Sequence, residues 1–104
     1  MAEPAEVGEV VLQAVDDGLL IPGEIVRTAI YQRLERTYQL RREEIPEKLE
    51  IFHQALQDLL GGGAKVMEKL IAKNLYRRLE LTFIEYANWS IVDYVNQAKT
   101  RVSD

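Results

Sequence analysis

Apolar residues recur every three or four positions along almost the whole chain, and nowhere do they alternate cleanly with polar ones over a strand-length segment. That spacing predicts an all-α chain. Over residues 5–17, Val7, Val10, Val11, Ala14 and Val15 fall on one stripe, and Gly18 is placed to take the left-handed conformation that ends a helix. Pro22 suits a first helical turn. The helix after it is expected to turn Ile25, Val26, Ala29, Ile30, Leu34 and Tyr38 inward and Arg27, Arg33 and Arg36 toward water.

The third helix has the clearest signature. Pro46 suits its first turn, Glu43, Glu44, Glu47 and Glu50 complement the positive end of its dipole, and Leu49, Phe52, His53, Leu56, Leu59 and Leu60 form a stripe. Glycines 61–63 end it. A fourth helix over about residues 64–80 carries Val66, Met67, Leu70, Ile71, Leu75 and Leu79 inward, with Phe52, Leu56, Leu70 and Ile71 expected where the two helices meet. A fifth is expected over 83–101, with Ile84, Ala87, Ile91, Val95, Ala98 and Val102 on one stripe and Phe83, Tyr86, Trp89, Val92 and Tyr94 outside it. A helix apolar on more than one side is central to its bundle or is covered by a second chain. The expected architecture is therefore a compact bundle of about five helices, with a short glycine turn between the third and fourth. The aromatic surplus on the fifth points to a homodimer.

A chain of 104 residues holds one domain, divided here into an acidic N-terminal helix (1–21), a core (22–81) and a C-terminal helix (82–104). With no cysteine there is no disulfide, no thiolate metal site and no cysteine nucleophile. The longest apolar run, Leu19 to Ile21, is far short of a membrane span, and the acidic start of the chain does not read as a secretory signal. A soluble cytoplasmic protein without membrane contact is expected.

The net charge of −4 disfavours bulk nucleic-acid binding, yet it conceals a sorting by segment. Residues 1–24 carry six acids and no base, 25–42 five arginines against Glu35, 43–60 five acids against Lys48, and 61–81 five bases against two acids. Alternating signs suit antiparallel neighbours with complementary rims.

Four motifs bear on chemistry. The glycines before Lys65 resemble a phosphate loop, but Ala64 precedes the lysine, Val66 follows it and no strand leads in, so a tight helix-to-helix turn is expected. Glu50 and His53 have the Glu-x-x-His spacing of di-iron bundles, but His53 is the only histidine, so no metal site is expected. Asn88 to Ser90 matches a glycosylation acceptor that means nothing without secretion. Lys65, Lys69, Lys73 and Arg77 recur every four residues and lay a basic ridge along the fourth helix. That ridge, with Tyr86 and Trp89, is the candidate partner-binding surface, for an acidic protein partner or, as the alternative, for nucleic acid, unless the chain's own acidic first helix meets it. Neither serine, Ser90 or Ser103, lies in a nucleophile elbow, so no catalytic residue and no cofactor is assigned.

Three stretches, VRTAIYQRLERTYQLRREEIP, EIFHQALQDLLGGGAKVMEKLI and NLYRRLEL, carry a resemblance. The span from 22 to about 81 is similar to the archaeal family named Nitrosopumilus output domain five. The resemblance implies a small helical domain working in or beside archaeal signal transduction, and it brings no catalytic residue with it. The expected function is a non-catalytic helical interaction module, a signalling output or regulatory accessory.

Overall fold

The computed structural model describes residues 4–103, with side chains from 6 to 102. Five α-helices, α1 (Pro4–Leu20), α2 (Glu24–Tyr38), α3 (Leu49–Leu60), α4 (Gly63–Arg78) and α5 (Ile91–Ser103), form an all-α bundle. A 3₁₀ helix, Arg42–Glu47, stands between α2 and α3, and no strand occurs among the described residues. One apolar core runs through all of these elements, from Val7 and Val11 on α1 to Val95 and Val102 on α5. α1 is its axle, touching α2, the 3₁₀ helix, α4 and α5, with the broadest contact to α4.

Several expectations change. Gly18 is not a cap: α1 continues through it to Leu20, buries Leu19, and uses the missing side chain to let α4 approach. A Cβ at position 18 would lie 2.6 Å from Ile71 Cγ1. Pro46 and its neighbouring acids belong to the 3₁₀ helix, where Arg41 N–H donates to Glu44 Oε1 at 2.9 Å and Ile45 is buried; α3 begins only at Leu49.

α2 keeps part of the expected face, since Ile30, Leu34 and Tyr38 turn inward, but the helix is rotated. Its inward stripe is Arg27, Ile30, Tyr31, Leu34 and Tyr38, which leaves Ile25 86% exposed and puts Val26 and Ala29 at the surface as well. Polar ties select that rotation. The Tyr31 hydroxyl donates to the Asp16 carboxylate and Arg27 reaches the Asp16 carbonyl, while Ile30 and Leu34 enter the core. On α4, Val66 is likewise exposed and Leu70 only half-buried, whereas Phe52, Leu56 and Ile71 are in the core as expected.

The fifth helix is the largest correction. It starts at Ile91, and residues 81–90 form an irregular strap across α4. Ser90 ends the strap as a helix cap: its hydroxyl accepts from Val92 N–H at 3.2 Å, and its own N–H donates to Asp93 Oδ2 at 2.9 Å. The aromatic surplus that called for a second chain is therefore not spread around one helix. Most of it is packed within the chain. Phe83 meets the edge of Tyr76 with ring centres 5.4 Å apart, Tyr94 lies 5.2 Å from Phe83 and 5.1 Å from Trp89, and Trp89 stacks on Tyr86 at 4.3 Å.

The sorted charges pair mainly between elements. Asp16 of α1 is bound by Arg42, and Asp17 by Arg78 of α4. Burial pushes the Asp16 carboxyl up, but hydrogen bonds from Arg42 and Tyr31, with the charges of Arg42 and Arg27, outweigh it and hold the group below its ordinary range.

Candidate functional site

Glu68, on the second turn of α4, is the one charged residue buried in the core among the described residues, at 4% exposure. A carboxylate in that position needs donors. Glu68 Oε1 accepts from the Ile91 backbone N–H at 2.8 Å, at the start of α5, and Oε2 lies 2.6 Å from His53 Nδ1 on α3. One side chain thus ties three helices together and sets where the strap ends. Its register, with Ala64, Ile71, Ala72 and Leu75 on the same stripe, places it inward. That spacing is the signal that counting it among the charges of the ridge overlooks.

The strap is fastened along its length. Arg101 donates to the Thr82 carbonyl at 2.9 Å, Lys69 Nζ lies 3.2 Å from Glu85 Oε2, and Tyr86 N–H donates to the Tyr94 hydroxyl at 2.9 Å. Beneath it the Tyr76 hydroxyl donates to the Tyr94 carbonyl at 2.7 Å. Burial pushes the Tyr76 phenol up to about 12, with Tyr94 and Tyr86 adding to the rise and the positive charge of Arg101 opposing it.

Two hollows open on either side of Trp89. The larger, about 450 Å³, lies over the glycine turn and is lined by His53, Gln57, Lys65, Glu68, Asn88 and Ser90 among others. The smaller, about 170 Å³, is a groove between α4 and the strap, walled by Lys65, Val66, Lys69, Glu85, Tyr86 and Trp89. The structure therefore brings four of the six candidate residues, Lys65, Lys69, Tyr86 and Trp89, to one place. Lys73 lies beside them, its Nζ 6.0 Å from the centre of the Phe83 ring, and Arg77 stands exposed on the last turn of α4.

The remaining motifs resolve locally. The glycine turn engages its own amides: Gly61, at φ +54°, donates to the Gln57 carbonyl at 2.9 Å, and Ala64 donates to Gly61 at 3.1 Å. Glu50 is exposed and His53 is held by Glu68, so the Glu-x-x-His pair does not converge on a common point. His53 with Glu68 is half of an acid–base triad, but the Ser90 hydroxyl is engaged at the start of α5. Among the described residues it makes no hydrogen bond to His53.

No helix among the described residues is long and apolar enough to cross a membrane. No family model matches the chain, and no curated protein or solved structure matches it.

Proposed function

We propose that this chain is a non-catalytic helical interaction module that docks an acidic, partly apolar segment of a protein partner in the groove between α4 and the strap. One observation carries the reading: two lysines and an exposed apolar wall share one concave surface. Val66 is 56% exposed and Tyr86 38%, and Trp89 lines the groove with them. Glu85 already occupies Lys69 from within the chain, a pattern for how a partner's carboxylate would sit, while Lys65 is exposed and has no ion-pair partner among the described residues. In the setting that the resemblance of residues 22–81 implies, the partner is a component of an archaeal signal-transduction pathway in the cytoplasm.

Nucleic acid fits the same surface less well. The strap lays Glu85 along the ridge and turns Lys73 toward Phe83, which leaves few free ammonium groups for phosphates on a chain whose net charge is −4. A homodimer through Tyr86 and Trp89 would compete for this groove, with Tyr86 the one exposed member of the aromatic surplus and Ile84 exposed beside it.

Trp89 is the only tryptophan, so its emission reports on the groove directly. Titration with a short synthetic peptide of glutamates around a pair of leucines is expected to shift that emission saturably, and Lys69→Glu or Val66→Asp to weaken binding by about tenfold or more. An unchanged emission, or an equal response to a duplex DNA oligonucleotide, would overturn the reading. Wild type sedimenting at twice the chain mass, with Tyr86→Ala restoring the monomer, would replace the partner by a second copy.

A further inference from the structure

Of the large apolar side chains left exposed, four sit together at the α1–α2 corner: Leu20, Ile21 at 65%, Ile25 at 86% and Val26. They continue onto α2 as a seam, because Ile25, Ala29, Gln32 and Arg36 follow one another at helical spacing on the side opposite the buried Ile30 and Leu34. A shallow hollow lined by Glu24, Ile25, Thr28, Ala29 and Gln32 runs along it, with the carboxylate at its N-terminal end. The seam changes character along its length. Its first half is apolar, with the small Ala29 able to admit a partner's side chain, and its second half carries Arg33 and Arg36. Both arginines are exposed, and neither has an ion-pair partner among the described residues, unlike Arg42, which is paired with Asp16.

We propose that this outer face of α2 is a second docking surface, and that its occupant is an amphipathic helix of another protein, apolar against Ile21, Ile25 and Ala29 and acidic against Arg33 and Arg36. A straight seam at helical spacing, with the small Ala29 between longer side chains, suits a helix laid along it. Carboxylates placed against the two guanidinium groups at one end would pair with them and set the direction in which the helix lies. Glu24 and Glu35 flank the same face, so an anionic lipid surface spread over all of it fits less well than a helix whose carboxylates are confined to the Arg33–Arg36 end. Among the described residues α2 touches α1, α3 and the 3₁₀ helix but neither α4 nor α5, so this face is separate from the groove at Trp89. Both can be occupied at once, which makes the chain an adapter between two partners. The inference stands independently of the groove.

The test is fluorescence anisotropy with a fluorescein-labelled synthetic helix bearing leucines along one end of a stripe and glutamates along the other, beside a matched helix with lysines in place of the glutamates. The expected result is binding of the acidic helix alone. In a Lys69→Glu background, which removes the groove as a competing site for glutamates and leucines, Ile25→Asp, and Arg33→Glu with Arg36→Glu, should each weaken it by about tenfold or more. Ile25 is almost fully exposed, so Ile25→Asp should melt as wild type does and report binding rather than folding. Absence of binding, equal binding of both helices, or indifference to the α2 variants would overturn the proposal. So would co-sedimentation of wild type, but not Ile25→Asp, with phosphatidylserine vesicles. A dimer that Ile25→Asp dissolves would assign the face to a second copy instead.

Discussion

At the scale of single residues, a buried carboxylate and a missing side chain do the most to hold the site. Removing Glu68 leaves the Ile91 N–H and the His53 ring without their partner, so Glu68→Ala should cost about 3 kcal/mol, whereas Glu68→Gln keeps an acceptor for Ile91 and should cost about 1 kcal/mol. Urea unfolding of the two variants checks this. Equal losses would mean that an amide oxygen does not replace the carboxylate as the acceptor for Ile91. Gly18→Ala is a second case in which local and tertiary preferences oppose each other. Alanine is favoured over glycine inside a helix by about 1 kcal/mol, but here its Cβ would lie 2.6 Å from Ile71 Cγ1. The clash should win, with a net loss of about 1–2 kcal/mol; a gain in melting temperature would show that Ile71 can move aside. Neither role stands out in sequence, because a glycine near a helix end reads as a cap and a glutamate between lysines reads as surface. Both become legible only through register, Glu68 with the α4 stripe and Gly18 with Ala14 and Val11 one and two turns earlier.

At the scale of elements, polar ties decide which of two possible faces a helix buries. α2 carries two apolar stripes, and the one holding Tyr31 and Arg27 turns inward because Asp16 of α1 meets both. The Asp16 carboxyl titrates in the folded chain below its ordinary 3.8, so on acidification the unfolded chain takes up this proton first. Its contribution to stability is complete above the unfolded value and is lost as pH falls through it toward the folded one. Between about pH 5 and 3 the melting temperature of wild type should therefore fall more steeply than that of Asp16→Asn, measured by circular dichroism. Parallel curves would mean that the Arg42 and Tyr31 contacts contribute nothing in solution. The strap was within reach of the sequence at one end only. Ser90 and Asp93 have the spacing of a capping box, which marks the start of α5, but nothing in residues 81–89 distinguishes an irregular aromatic strap from another helical turn. The strap is determined by long-range contacts, Tyr76 with Phe83 and Lys69 with Glu85, that no local window contains.

At the scale of the whole molecule, one core with α1 as its axle leaves two separate faces, and the all-α class, the glycine turn and the basic ridge are all readable from periodicity alone. What periodicity cannot supply is the meeting of the ridge with Tyr86 and Trp89, since that depends on the strap folding back across α4. The account rests on that meeting place being a docking site for an acidic segment. Its most direct test is an amide ¹H–¹⁵N correlation spectrum of the intact chain, titrated with the glutamate–leucine peptide. The account predicts that the resonances that move cluster at residues 62–69 and 83–89, and that they stop moving in Lys69→Glu. Shifts spread evenly over the chain, shifts confined to α2, or shifts that persist in Lys69→Glu would contradict it.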